Sequence, residues 1–241
     1  MSRLTDFLFP PLCVSCEEPL VRGTSDKTAL CPECRAEWEK EKLKSCRFCG
    51  REMIDCRCMN EKISRTGCSA LLKLCSYRKG EQRTVKSLVF CLKRDAISRC
   101  ENFLSAQLAL LIRGYLKEAR STDFIVTSVP RRKASVREYG YDHAALIARL
   151  AAERIGLAYV PLLCRVHDGE EQKYLSSDER EDNVRRAFSE SENAKKARER
   201  KIILVDDVVT TGSSMAACAS LLFSEGAENV VCACIALAEK S

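Results

Sequence analysis

At 241 residues, 46% of them apolar, the chain has room for one medium domain and a small one around a real core. A net charge of +6 and an isoelectric point near 8.6 suit polyanionic partners without selecting one. No apolar run approaches the roughly 20 residues of a membrane helix, and MSRLTDFLFPPLC, with one Arg and two prolines, makes a poor secretory signal. These features predict a cytoplasmic protein, in which sixteen cysteines read as metal ligands or buried thiols rather than disulfides.

Half of those cysteines fall between Cys13 and Cys58. Cys13-x2-Cys16 and Cys31-x2-Cys34 form two knuckles, and two knuckles complete a tetrahedral thiolate site for zinc. Cys46-x2-Cys49 with the tighter Cys56-x-Cys58 offers a second site. One or two zinc ions are expected, in a structural role, because four thiolates leave no position for water. CPEC alone also resembles a redox dithiol, but residues 1–66 are too short and polar to supply the strand-and-helix sandwich such a pair requires. The only aromatics between the knuckles are Trp38 and Phe48, which gives little support for nucleic-acid contact there. The polar run MNEKISRT, 59–66, reads as a linker, dividing the chain into a zinc-ribbon-like domain (1–66) and a second domain (67–241).

Beyond the linker, apolar strands alternate with amphipathic helices. ENFLSAQLALLIRGYL reads as a helix, and DFIVTSVP as a strand stopped by Pro130. DHAALIARLAAERIG reads as a helix with Leu146, Ile147, Leu150 and Ile155 on one stripe and Gly156 as its stop. SESENAKKARER is polar throughout and is expected to be an exposed excursion. KIILVDDVV is a strand, SSMAACASLLFSEGA a helix and NVVCACIAL a final strand. That alternation predicts an α/β fold, a mainly parallel sheet with helices on both faces.

The chemistry gathers in KIILVDDVVTTGSS, where a buried strand ends in two adjacent acids before a turn of hydroxyls and glycine. In an open parallel sheet, ligands bind at the carboxyl ends of strands, and the following helix N-terminus favours phosphate. Gly212 lets the backbone close on an anion, while Thr210, Thr211, Ser213 and Ser214 add hydroxyl donors. Asp206 and Asp207 would repel the phosphate itself but suit the hydroxyls of a sugar. Ribose 5-phosphate satisfies both halves. A Walker B strand is the main competitor, yet no glycine here precedes Lys, and no Gly-x-Gly-x-x-Gly occurs. The bland alternative is a pair of acids that merely caps a strand.

ILVDDVVTTGSS resembles the signature of type I phosphoribosyltransferases, which bind 5-phosphoribosyl 1-pyrophosphate (PRPP). A cysteine ribbon followed by such a domain resembles the ComF family, linked to competence and DNA uptake in bacteria. LFPPLCVSC resembles the family's opening, and YRKGEQRTVKSLVFCLKRD its Tyr…Leu-Lys element at Tyr77, Leu92 and Lys93. QKYLSSDEREDNVRRAF resembles a further family element at Gln172, Leu175, Arg180, Asn183 and Phe188. SVPRRKASVREYGYDHA matches a third, with Tyr139, Tyr141, Asp142 and His143 where the family carries Arg, Phe, Asn and Gln. The resemblance implies that Arg131, Arg132, Lys133 and Arg137 meet the diphosphate and that magnesium accompanies PRPP. It also implies a role in uptake of single-stranded DNA beside a competence helicase or channel protein at the inner membrane. Two other readings stay open: an active transferase of nucleotide metabolism, and a non-catalytic PRPP sensor. Thr210 stands where purine-salvage relatives carry a proton-accepting acid, which disfavours 6-oxopurine acceptors.

Overall fold

The computed structural model describes residues 10–20, 28–78, 82–94, 98–132, 136–137, 141–166, 184 and 186–239. The cysteine-rich segment forms two small loops, closed by antiparallel bridges at Leu12–Pro19 and Ser45–Glu52, on either side of helix α1 (Pro32–Lys42). The Cys31 sulfur caps α1 by accepting from the Cys34 N–H, and Pro32 begins it, a position where a missing N–H costs nothing. One helical turn, α2 (Glu61–Ser64), leads into the main body.

That body runs β1 (Ala70–Tyr77), α3 (Arg83–Arg94), α4 (Ser98–Ala119), β2 (Phe124–Ser128), α5 (His143–Ile155) and β3 (Ala158–Tyr159). It continues through β4 (Leu163–Arg165), β5 (Phe188–Glu190), β6 (Lys201–Val209), α6 (Ser213–Ser224) and β7 (Asn229–Ala238). The main sheet has the order β1-β7-β6-β2-β3, parallel throughout, while β4 and β5 pair antiparallel as a separate ribbon. β6 is the central strand.

Helices cover both faces, as the predicted fold class requires. Side chains alternate across the pleat, so Ile203, Val205, Val231 and Ala233 face one core while Ile202, Leu204, Val230 and Cys232 face the other. The first core is packed by α3, α4 and α5, the second by α6. The first core also takes in Leu30, Cys31, Cys34 and Trp38, so the first cysteine loop and α1 share it with the sheet. Trp38 is fully buried, edge-on to Phe103 at 5.9 Å, and its indole N–H donates to Gln107 Oε1. Its ring is core, unavailable to nucleic acid.

Three sequence expectations change. The 59–66 run is a packed element: Asn60 caps α2 by accepting from the Ile63 N–H, and Ile63 is fully buried in the second core. The polar stretch 189–200 begins within β5 and then buries Ala194 and Ala197 in a short 3-10 turn, because its small residues sit between the charged ones. On α5 the buried face is Ala144, Ile147, Ala148, Ala151 and Ala152, with Leu146 and Leu150 half-buried at its edges. Alanine lets α5 lie close to the sheet, which a stripe of leucines would not. Gly156 does end α5, in the left-handed conformation at φ 75°.

Trp38→Ala should lower unfolding free energy by about 3–5 kcal/mol. Because its cavity opens in the shared core, urea should unfold the α/β body of the variant at lower concentration; an unchanged midpoint would show that the ribbon side is separate.

Candidate functional site

β6 runs past its neighbour β2, whose last paired residue, Ser128, lies opposite Val205. The acids therefore sit inside the strand, which continues to Val209, and not beyond its end. Asp207 is 3% exposed, and its carboxylate forms an ion pair with the guanidinium of Arg131. Its Oδ1 also accepts from the Val208 N–H at 2.7 Å. Asp206 is half-buried, with Oδ1 accepting from the Asp207 N–H at 2.9 Å. Burial, and then the neighbouring Asp207 charge, push the Asp206 carboxyl well above the usual carboxylate range.

Arg131 is held twice. Its backbone N–H donates to Asp142 Oδ2 at 3.1 Å, while Asp142 Oδ1 caps α5 by accepting from Ala145 N–H at 3.0 Å. The acid that departs from the family pattern is thus a helix cap that also anchors the 129–132 turn. Burial works against the charge on the Arg131 guanidinium, but its pairing with Asp207, helped by the other carboxyls nearby, raises its pKa above the usual range. Arg131, Arg132, Asp206 and Asp207 line one cleft of about 260 Å³, together with Thr210, Ser214 and Arg165 at the end of β4. Arg165 was not foreseen: one Arg after a three-residue strand carries no motif, and only the antiparallel ribbon brings it across the cleft. Arg137 is exposed and lines neither this cleft nor the loop hollow, and Lys133 lies outside the described residues, as do Gln172, Leu175, Arg180, Asn183 and Tyr139. His143 is buried edge-on to Tyr141 at 4.5 Å, away from the cleft.

The 210–214 turn encloses a smaller hollow of about 50 Å³, lined by Asp206, Thr211, Gly212, Ser213 and Ser214. Gly212 precedes α6 at φ 77°. Added to the conformational demand is a steric one, since a Cβ there would lie 2.3 Å from Asn60 Nδ2. Asn60 Nδ2 donates to the Thr211 carbonyl at 3.2 Å, and Lys62 Nζ to Ser213 Oγ at 3.1 Å. Hydroxyl contact between Thr211 and Ser213 at 3.0 Å completes the turn. The segment leaving the cysteine-rich region therefore braces the turn directly.

Both cysteine sets come together. The sulfurs of Cys13, Cys16, Cys31 and Cys34 all lie within 4.8 Å of one another, as do those of Cys46, Cys49, Cys56 and Cys58. Cys16–Cys31 and Cys49–Cys56 approach to 3.6 and 3.5 Å. Four thiolates about 2.3 Å from one zinc would stand roughly 3.8 Å apart, so both clusters fit structural zinc. No third cluster of this kind occurs among the described residues, and all sixteen cysteines are thiols. Buried Lys73 on β1 donates to the carbonyls of Cys56, Cys58 and Leu71 at 3.0–3.3 Å, fastening the second cluster to the sheet.

Residues 4–72 match a double zinc ribbon domain, and residues 144–241 match a phosphoribosyl transferase domain. The chain is 26% identical to "DNA utilization protein YhgH" of Salmonella typhi over 94% of its length and 96% of that protein, and equally to the Salmonella typhimurium protein. A double zinc ribbon followed by a phosphoribosyl transferase domain is the arrangement that the resemblance to the ComF family implies. Solved structures similar to it include the PRPP amidotransferase of B. subtilis, with TM-score 0.36 and 19% identity. That match spans 61% of this chain and 30% of that longer one. A purine phosphoribosyltransferase from Pyrococcus horikoshii scores 0.33 at 12% identity over 57% of this chain and 85% of its own. Overlaps this loose bear on no residue of the site. No helix among the described residues is long and apolar enough to cross a membrane.

A folded-state carboxyl that keeps its proton to higher pH than the unfolded chain subtracts stability as pH rises above about 4. Asp206→Asn should therefore raise Tm by about 2–4 °C at neutral pH. The gain should vanish toward pH 3, where Asp206 is neutral in both states; a lower Tm at neutral pH would contradict the assignment of a carboxyl whose ionisation is costly in the folded state.

Proposed function

We propose that this chain is a ComF-like protein that binds PRPP in the cleft and hollow at the end of β6, and through that binding supports the handling of single-stranded DNA during uptake. One observation carries the reading: acids, hydroxyls and a left-handed glycine converge at the carboxyl end of the central strand, facing arginines from two other elements. The 5-phosphate belongs in the 210–214 hollow, where hydroxyls of Thr211, Ser213 and Ser214 and the start of α6 supply donors. Asp206 and Asp207 reach the ribose hydroxyls, and a donated hydrogen bond offsets the charge that burial disfavours on Asp206. The diphosphate lies toward Arg132 and Arg165, whose planar forks match phosphate oxygens. Arg131 plays a different part from the one its sequence position implied. It neutralises Asp207 and holds the turn in place.

The residues suit magnesium as well, since two neighbouring carboxyls at the cleft are relieved by a divalent ion. These carboxyls would hold the ion with PRPP, where it would supply positive charge to offset the negative charge of the diphosphate. Both zinc clusters act beneath this site as folding elements, because the segment leaving the second cluster carries Asn60 and Lys62 to the phosphate turn. The DNA role is supported by the printed name of the two Salmonella relatives and by the net charge of +6.

Calorimetry with PRPP and magnesium tests the site. Asp206→Asn combined with Asp207→Asn should weaken binding by about two orders of magnitude or more, with zinc content per chain unchanged. Wild-type affinity in that double variant would refute the sugar-binding role.

A further inference from the structure

A second and larger cavity, about 450 Å³, lies on the other side of the phosphate turn. The second cysteine loop, the segment before α2 and the end of β7 wall it on three sides. Its lining is largely apolar, with Phe48, Met53, Met59 and Leu237, and Thr210 and Thr211 form the wall it shares with the turn. Lys73 also lines it, but its ammonium is engaged by three carbonyls, so it offers the cavity mainly an alkyl stem.

Phe48 is the telling residue. It is 81% exposed, the most exposed large apolar side chain described, where an aromatic ring gains nothing from water. Nor is its surroundings' order accidental. The Arg47 guanidinium stands 5.8 Å from the ring centroid and is ion-paired with Glu239, which Arg78 also holds at 2.8 Å. Glu239 and Phe48 both line the cavity, so the rim is a built arrangement joining the second ribbon to the chain's last strand.

We propose that this cavity binds a flat heteroaromatic ring of nucleobase size, with Phe48 as its stacking surface. The volume falls in the range of small-molecule sites, and an aromatic with two thioethers suits a polarizable ring. The inference deepens the PRPP reading and rests on it in one respect: the phosphoribosyl group in the turn is what makes the ring its neighbour across Thr210 and Thr211. In this arrangement the second zinc ribbon is a wall of the ligand site.

The test uses the full zinc-loaded chain and saturation-transfer NMR with adenine, cytosine, thymine and uracil, each with and without PRPP and magnesium. At least one base should receive saturation from the wild type. Phe48→Ala, at a position too exposed to disturb folding, should weaken that base's binding about tenfold, and Phe48→Trp should retain it. Calorimetric PRPP binding should be the same in all three proteins. Transfer to no base, or equal transfer in the Phe48→Ala protein, overturns the inference while PRPP binding still stands. Transfer to a base without any PRPP binding supports the ring site and overturns the reading of the turn. Competition by oligothymidylate assigns the ring to a base carried on a strand, and its absence assigns a free small molecule.

Discussion

A carboxylate 3% exposed must have a partner, and Asp207 finds it in Arg131. That ion pair joins the ends of two adjacent parallel strands, and the Arg131 backbone in turn hangs from Asp142 at the start of α5. Three carboxyl-end elements are thereby fixed to one another through two acids and one base. The shape of the cleft follows from this chain of contacts. So does the tension in it, because the second acid, Asp206, shares the neighbourhood without an opposite charge of its own and resists ionisation. Sites that await a charged ligand hold such groups poised, at a cost to the empty protein.

The cysteine-rich region is joined to this site by short physical steps. The first cluster and α1 share a hydrophobic core with the sheet. The second is fastened by Lys73 from β1, and its continuation sets Asn60 against Gly212 so closely that no side chain fits there. The segment that leaves the second cluster thus bears on the geometry of a turn 151 residues beyond Asn60. An argument from modular domains, each with its own duty, would miss that the ribbons complete the surroundings of the turn. Phe48 and Arg47 extend the same theme on the far side, where a zinc loop lines a cavity.

Much of this was legible in sequence. Cysteine spacing sets which sulfurs can meet one ion, and both sets do meet. Apolar runs bounded by Gly and Pro gave the strands and the α4, α5 and α6 helices, and the acid-acid-hydroxyl-glycine run marked its turn at the end of β6. These are local patterns, decided by the residues' own periodicity and backbone freedom, so the chain order suffices to read them.

What the order of residues could not convey is who faces whom across the fold. Arg165, Asn60 and Lys62 carry no motif; they reach the site because β4 pairs with β5 and α2 packs beside α6. Arg131 looked like one more ligand cation until the sheet set it beside a buried acid, and Asp142 like a mere departure from the family's Asn until it capped a helix. Polar character misled at 59–66 and 189–200 for the same reason: a few small or apolar residues can be buried while their charged neighbours stay in water. Spacing along the chain determined the metal ligands, the strands and the turn, whereas pairing between distant segments decided the charge balance and the walls of the site, because burial and Coulomb energies depend on distance through space.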